Sequence, residues 1–281
     1  MLFPRAFADP LVFVLGSVVG SFLNVCIYRM PRDRSVVSPP SHCPQCGVRL
    51  APVDLVPLIS FLALGRKCRR CGGLISWRYF SIELVTGVVF VAAWEAAKGR
   101  AEVIPWWMFA SVVIAVVFTD LDHMIIPDKL VVAGLAAALL YQAIQVGGGQ
   151  PLLSVGIPGT SLALPRVVAG GVVGYVVFVV IRGFSQLLFR REGMGLGDVK
   201  LAGAIGAMLG PKLALLAFGL AIATGAVLGI ALIALRLRRR MEYLPFGPFL
   251  AAAALAVLLA PLPIERTAAT LYRDWARLLG G

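Results

Sequence analysis

Eight long apolar stretches divide this 281-residue chain, and they limit its fold more than any other feature. They run over about 11–28, 79–97, 104–121, 128–146, 163–182, 198–211, 213–235 and 246–262. A helix of about 20 apolar residues crosses the roughly 30 Å hydrocarbon core of a bilayer, and all but the sixth stretch come near that length. Lipid offers no water to the backbone, so each crossing must satisfy its own amides as a helix. The expected fold class is therefore an all-α polytopic membrane protein with about eight transmembrane helices. Charged residues make up 14% of the chain and mean hydropathy is +0.90. A soluble domain carries about a quarter charged residues, so an ordinary soluble protein is excluded.

Proline and glycine punctuate the junctions at Pro105, Pro127, 147–149, Pro165, Pro211 and Pro245. The short sixth span follows a glycine-rich entry, the pattern of a helix that begins below the membrane surface inside the protein. The first span is long for the core of a cleaved signal and no small-residue cleavage site follows it, so it reads as a retained helix. An even number of spans puts both termini on one side, and the basic residues then test the topology. Arg29, Arg32, Arg34, Arg49, Arg66, Lys67, Arg69, Arg70, Arg78, Lys129, Arg182, Arg190, Arg191, Lys200, Arg236, Arg238, Arg239 and Arg240 share one side, 18 of the 26. Short loops rich in Lys and Arg stay in the cytoplasm. The formal charge of +12 is thus mainly topological. Membrane lipid is the expected surface for it, and nucleic acid is not an expected partner.

Residues 30–78, between the first two spans, are the one sizeable polar segment, too small for a large core and suited to a structural metal. They hold Cys43-Pro44-Gln45-Cys46 and Cys68-Arg69-Arg70-Cys71, with 21 residues between the pairs. Two such pairs predict a tetrahedral zinc with ligands Cys43, Cys46, Cys68 and Cys71. A closed four-thiolate shell leaves no open position for water, so the zinc is expected to be structural, and His42 is not needed to complete it. Cys26, inside the first span, reads as a small core hydrophobe. The expected organisation is a first transmembrane helix (1–29), a cytoplasmic zinc-binding domain (30–78), a main transmembrane domain (79–264) and a tail (265–281). Part of that tail, 265–279, reads as a short amphipathic helix on the outer surface.

Among 14 acidic residues, Asp120, Asp122, Asp128, Asp198 and, less so, Glu83 fall in or beside the spans. Ionisable groups there are costly unless paired or hydrated, which makes them functional candidates. Gly195 and Gly197 precede Asp198, permit close backbone approaches, and place the carboxylate at a helix start where the dipole favours negative charge. Asp120 and Asp122 are separated by about 200° around a helix, so only one can face a given partner. Asp128 follows Pro127 in the first turn of the next helix and suits a dipole-complementing cap. Two carboxylates that share a proton can activate water with one group while the other donates a hydrogen bond to a scissile carbonyl.

Six motifs together resemble the bacterial type IV prepilin peptidases, also called leader peptidase/N-methyltransferases. They are Gly20-Ser21-Phe22-Leu23-Asn24-Val25, the paired CxxC segment, and Arg78-Tyr79 leading to Glu83. The stretch 120–128, Gly195 to Lys200, and Pro245-Phe246-Gly247-Pro248-Phe249 complete the series. The resemblance implies catalytic roles for Asp120 and Asp198, the latter in a GxGD motif, with Asp122, Asp128, Gly195, Gly197 and Lys200 in supporting places. It further implies removal of a short basic leader from prepilins and pseudopilins on the cytoplasmic side of the bacterial inner membrane, after a glycine. Methylation of the new amino terminus by S-adenosylmethionine would follow. No glycine-rich strand–helix fingerprint for that donor is visible, so the methyltransferase expectation rests on the resemblance alone. The linker at about 147–160 departs from the family by lengthening the separation of the two aspartates.

Two other classes compete. An ion- or proton-coupled transporter uses intramembrane aspartates, and such proteins commonly show related halves with interrupted helices near the midplane, but this chain shows neither a repeated half nor aspartates at mid-span. A zinc-ribbon adaptor leaves the aspartates unexplained.

Overall fold

The computed structural model describes residues 5–148, 154–156, 163–189, 194–235 and 245–260. Its helices are α1 (Arg5–Arg29), α2 (Ile59–Ala63), α3 (Trp77–Ala97), α4 (Val103–His123) and α5 (Asp128–Gly147). They continue as α6 (Arg166–Phe189), α7 (Leu196–Leu209), α8 (Pro211–Ala234) and α9 (Gly247–Leu259). Each of the eight expected spans coincides with one of the longer helices, and α2 lies in the cysteine segment. Among the described residues, regular strands are limited to a small ribbon in the linker, β1 (Ser154–Gly156) antiparallel to β2 (Ala163–Pro165), with Val155 opposite Leu164. The all-helical membrane class holds. The expected tail helix lies outside the described residues, as do Arg190, Arg191 and the basic run 236–240.

Among the described residues, six helices are long and apolar enough to cross a membrane: α1, α3, α4, α5, α6 and α8. The other two, α7 and α9, have 14 and 13 residues. At about 1.5 Å per residue each reaches roughly 20 Å, short of the hydrocarbon thickness. The shortness of α7 matches its glycine-rich start, whereas α9 is shorter than its hydropathy alone indicated.

The chain forms two compact units, 1–133 and 134–281. In the first, α1 meets α3 through small residues. A Cβ on Gly16 would stand 2.8 Å from Phe90 Cβ and from the Thr86 carbonyl, and one on Gly20 2.8 Å from Glu83 Cα. From the other helix, a Cβ on Gly87 would stand 2.7 Å from Ser17 Oγ. Gly16 and Gly20 are four residues apart on one face, the spacing that lets membrane helices touch backbone to backbone. Hydroxyls at this contact bond back within their own helices, Ser17 to Phe13 O (3.0 Å) and Thr86 to Ile82 O (2.6 Å). Next, α4 packs on both helices. Its Trp107 stacks on Phe90 with centroids 5.2 Å apart and donates from Nε1 to Phe90 O (2.9 Å).

In the second unit α6 and α7 approach even more closely. A side chain on Gly170 would collide with the Gly206 carbonyl, one on Gly206 with the Gly170 carbonyl, and one on Gly174 with the Ala202 carbonyl. Gly210 (φ 78) ends α7, and Arg166 Nη2 donates to the Leu209 carbonyl (2.5 Å), supplying a cation to the helix C-terminus. Val199 and every residue from Leu201 to Leu209 are buried. This is a short helix sheathed by protein, as its sequence indicated.

Gly206→Val is expected to force α6 and α7 apart and destabilise the detergent-solubilised protein by at least about 1–3 kcal/mol. Gly219→Ala on α8, where a Cβ meets nothing within 4 Å, should instead be neutral or stabilising by up to about 1 kcal/mol. Thermal unfolding of both variants checks this, and equal midpoints would show that the helices are not in backbone contact.

Candidate functional site

The last turn of α4 carries Thr119-Asp120-Leu121-Asp122-His123. It stops at Met124, whose left-handed backbone (φ 53) lets its amide reach the Asp120 carbonyl at 2.9 Å. The Asp120 side chain turns inward and is only 6% exposed. Beside it, fully buried Thr119 donates to Val116 O (3.1 Å). Asp122 points the other way and forms a salt bridge with Arg78 at the start of α3. Close by, Arg32 Nη1 lies 3.2 Å from His123 Nε2. The helical separation expected for the two aspartates therefore has a physical content. One is buried in the protein, while the other is committed to a cation at the end of a neighbouring helix. Asp128 is exposed in the first turn of α5, where a negative charge complements the dipole.

Asp198 occupies the first turn of α7 and is half-buried, with Lys200 exposed two residues on. Gly195 is the N-cap, with φ −70 and ψ 151. Any residue adopts that conformation, so Gly195 does not supply a special backbone, contrary to one sense of the sequence reading. A Cβ there would stand in ordinary contact, 3.6 Å from Asp198 Oδ2. Gly197 lies inside the same turn. Asp120 thus closes a helix of the first unit, and Asp198 opens a helix of the second.

Glu83, a minor candidate from sequence, has a defined task. It is 8% exposed, and its Oε2 accepts the Leu58 amide at 2.8 Å while the Ser21 side chain also bonds to it. Leu58 is held at φ 60, uncommon for a side chain of its size. Asn24 Nδ2 donates to the carbonyls of Tyr79 (3.2 Å) and Gly20 (3.3 Å). Buried Arg29 donates to the carbonyls of Ser35 (2.9 Å) and Pro39 (2.7 Å). Residues 20–25 and 78–83 therefore bind α1, α3 and the cysteine segment to one another. The signal for Glu83 was simply a carboxylate inside an apolar span. For Arg29 no signal separated it from other flanking cations.

The cysteine segment repeats one local turn twice. Gly47 N bonds to Cys43 O and Gly72 N to Cys68 O, both at 2.9 Å, with φ 70 at each glycine. The chain then pairs back on itself, His42 with Arg49 and Lys67 with Leu74. The four sulfurs of Cys43, Cys46, Cys68 and Cys71 lie within 4.8 Å of one another, with Cys43 and Cys71 3.9 Å apart. Tetrahedral Zn–S bonds of about 2.3 Å place sulfurs about 3.8 Å apart, so the set can hold a metal ion of that kind. Amides of Cys71 and Arg70 donate to the Cys68 sulfur and bring its thiol down to about 6. The Gly73 amide acts on Cys71 in the same sense. There burial and the sulfurs of Cys46, Cys68 and Cys43 prevail, and the thiol is pushed up to about 11.

Comparison with known proteins agrees with this layout. The family model of the bacterial peptidase A24 N-terminal domain matches residues 14–96, and that of the type IV leader peptidase family matches residues 107–230. A prepilin leader peptidase/N-methyltransferase of Aeromonas hydrophila is 34% identical, with 89% of each chain covered. The protein of the same name from Pseudomonas aeruginosa is 32% identical over 92% of this chain and 94% of its own. That from Myxococcus xanthus is 36% identical over 79% of this chain, which spans 62% of that relative's length. No solved structure matches the chain.

Gly72→Val places a branched side chain at φ 70 and is expected to cost about 1–2 kcal/mol. The cost should appear as faster amide hydrogen exchange across residues 66–75, leaving α3 and α4 protected. Unchanged exchange would show that the turn does not require glycine.

Proposed function

The chain belongs to the type IV leader peptidase family, and from that premise we propose how its residues divide the work. The protein is a multi-pass membrane peptidase of prepilin-type substrates, and the double name of its relatives brings an N-methyltransferase activity with it. We assign the peptidase chemistry to Asp120 and Asp198. One carboxylate takes a proton from water as the water attacks the scissile carbonyl. The other, protonated, donates a hydrogen bond to the carbonyl oxygen and stabilises the charge that develops there. Such a pair titrates as a unit. The observation that supports the choice of Asp120 is its burial in the last turn of α4, whereas Asp122, two residues on, faces outward to a salt bridge with Arg78.

The substrate is the short basic leader of prepilins and pseudopilins, cut after a glycine at the cytoplasmic face of the bacterial inner membrane. The cytoplasmic placement draws support from the cations at one end of the first unit. There Arg32 and Arg78 meet His123 and Asp122, so the end of α1, the start of α3 and the end of α4 share a side. S-adenosylmethionine supplies the methyl group for the second activity. Zinc is the metal for the four thiolates, with a structural role, since Cys43, Cys46, Cys68 and Cys71 fill a tetrahedral shell. The relatives described above are named as peptidases, and nothing in them favours an ion-coupled transporter.

Purified protein and a prepilin-like peptide test the pair. Asp120→Asn and Asp198→Asn should each lower cleavage by about a hundredfold to ten-thousandfold, while Asp122→Asn keeps substantial activity. Retained cleavage in either of the first two variants removes the assignment, and loss only with Asp122→Asn moves it by two residues.

Elemental analysis should find about one zinc per chain, lost on joint replacement of Cys43 and Cys68 by serine. Freshly purified wild type without metal would refute the zinc site.

A further inference from the structure

The helix α3 serves as a depth gauge for the segment packed on it. Its 21 residues extend for about 31 Å at 1.5 Å per residue, so nearly all of it is needed to cross the hydrocarbon, with no spare turn to stand clear of the membrane. Phe80 lies one turn inside α3, and Glu83 about 9 Å along it from Trp77. The cysteine segment reaches down to both. The Leu58 amide bonds to Glu83 Oε2 at 2.8 Å, and the Phe61 ring lies 5.2 Å from Trp77 and 5.3 Å from Phe80. Residues 58–61 therefore lie beside the first two turns of a membrane-spanning helix. Sequence placed them in a cytoplasmic segment.

What this stretch shows to its surroundings fits that depth. Phe61 is buried, and around a helix Ile59 falls nearly opposite it, with Leu62 about 60° from Ile59 and about 100° from Phe61. Ile59 is 67% exposed and Leu62 62%, with Val53 and Val56 exposed just before them. Cations border the apolar strip. The Arg66 guanidinium sits 5.4 Å over the Trp77 ring, and Lys67, paired with exposed Leu74, and Arg70 face outward. Of the two acidic residues in 30–78, Asp54 is tied to Arg69 at 2.8 Å. Apolar side chains at the boundary with cations beside them match an anionic leaflet.

We propose that α2 and the turn before it form an interfacial membrane anchor. Ile59 and Leu62 enter the boundary between headgroups and acyl chains, and Arg66, Lys67 and Arg70 meet anionic lipid phosphates of the same leaflet. The anchor holds the four-cysteine cluster flat against the membrane rather than free in the cytoplasm.

The test uses the full chain carrying photoreactive p-benzoylphenylalanine in place of Leu62, or of Ile59 as a second probe. In place of Val37, which is 85% exposed beyond the end of α1, it serves as the reference. The protein is reconstituted in vesicles of phosphatidylcholine with a minority of phosphatidylglycerol, or of phosphatidylcholine alone, and lipid adducts are read by intact mass. Adducts at positions 59 and 62 should exceed those at 37 about tenfold. They should increase with phosphatidylglycerol, and Lys67→Glu with Arg70→Glu should abolish that increase. Adduct yields no higher than at position 37, or crosslinks to another polypeptide instead of lipid, overturn the anchor. Equal yields in the two vesicles overturn its anionic-lipid half.

Discussion

Lipid gives helices no hydrophobic reason to associate, because the chains around them are as apolar as leucine. Contact is then worth having only where backbones come close enough for dense packing. Gly16, Gly20 and Gly87 create such a contact between α1 and α3, and Gly170, Gly174 and Gly206 create one between α6 and α7. Each contact sets a polar feature in place. Gly20 lies against the backbone of Glu83, so the α1–α3 seam fixes the carboxylate that receives Leu58. The α6–α7 seam holds the buried helix whose first turn presents Asp198.

Polar groups at one end of the first unit are shared out so that few compete. Arg78 takes Asp122, Arg32 approaches His123, and Arg29 is spent on carbonyls of the following loop. Glu83 is spent on a backbone amide. A charge at the edge of a membrane is costly until it has a partner, and these pairings meet that cost. Asp120 differs from Asp122 in being buried within its own unit.

Most of the architecture was legible in the sequence because crossing a bilayer leaves little choice. The apolar stretches had to be helices, and two CxxC pairs had to converge if they hold one metal. Contacts between helices were less legible. Gly16, Gly87, Gly170 and Gly206 lie inside apolar runs, where hydropathy treats glycine as filler. Gly195 misled in the opposite sense: its motif suggested a special backbone, and it has an ordinary one. Glu83 was visible as an oddity, but its partner is a backbone amide 25 residues away, and a side-chain inventory does not include amides.

The sign of charge bears on what the cysteine segment meets. Residues 30–78 hold eight basic and two acidic side chains. A zinc ion held by the four thiolates would carry two negative charges in all, which would offset only part of that excess. A basic leader peptide gains nothing from such a surface, since like charges repel even where salt screens them. An anionic leaflet does gain, and the segment is joined at both ends to helices that fix it beside one. Attraction to lipid would keep these cations occupied at the headgroups. The basic leader would then meet the carboxylates, not the cations, as the complementary charge within reach of the membrane.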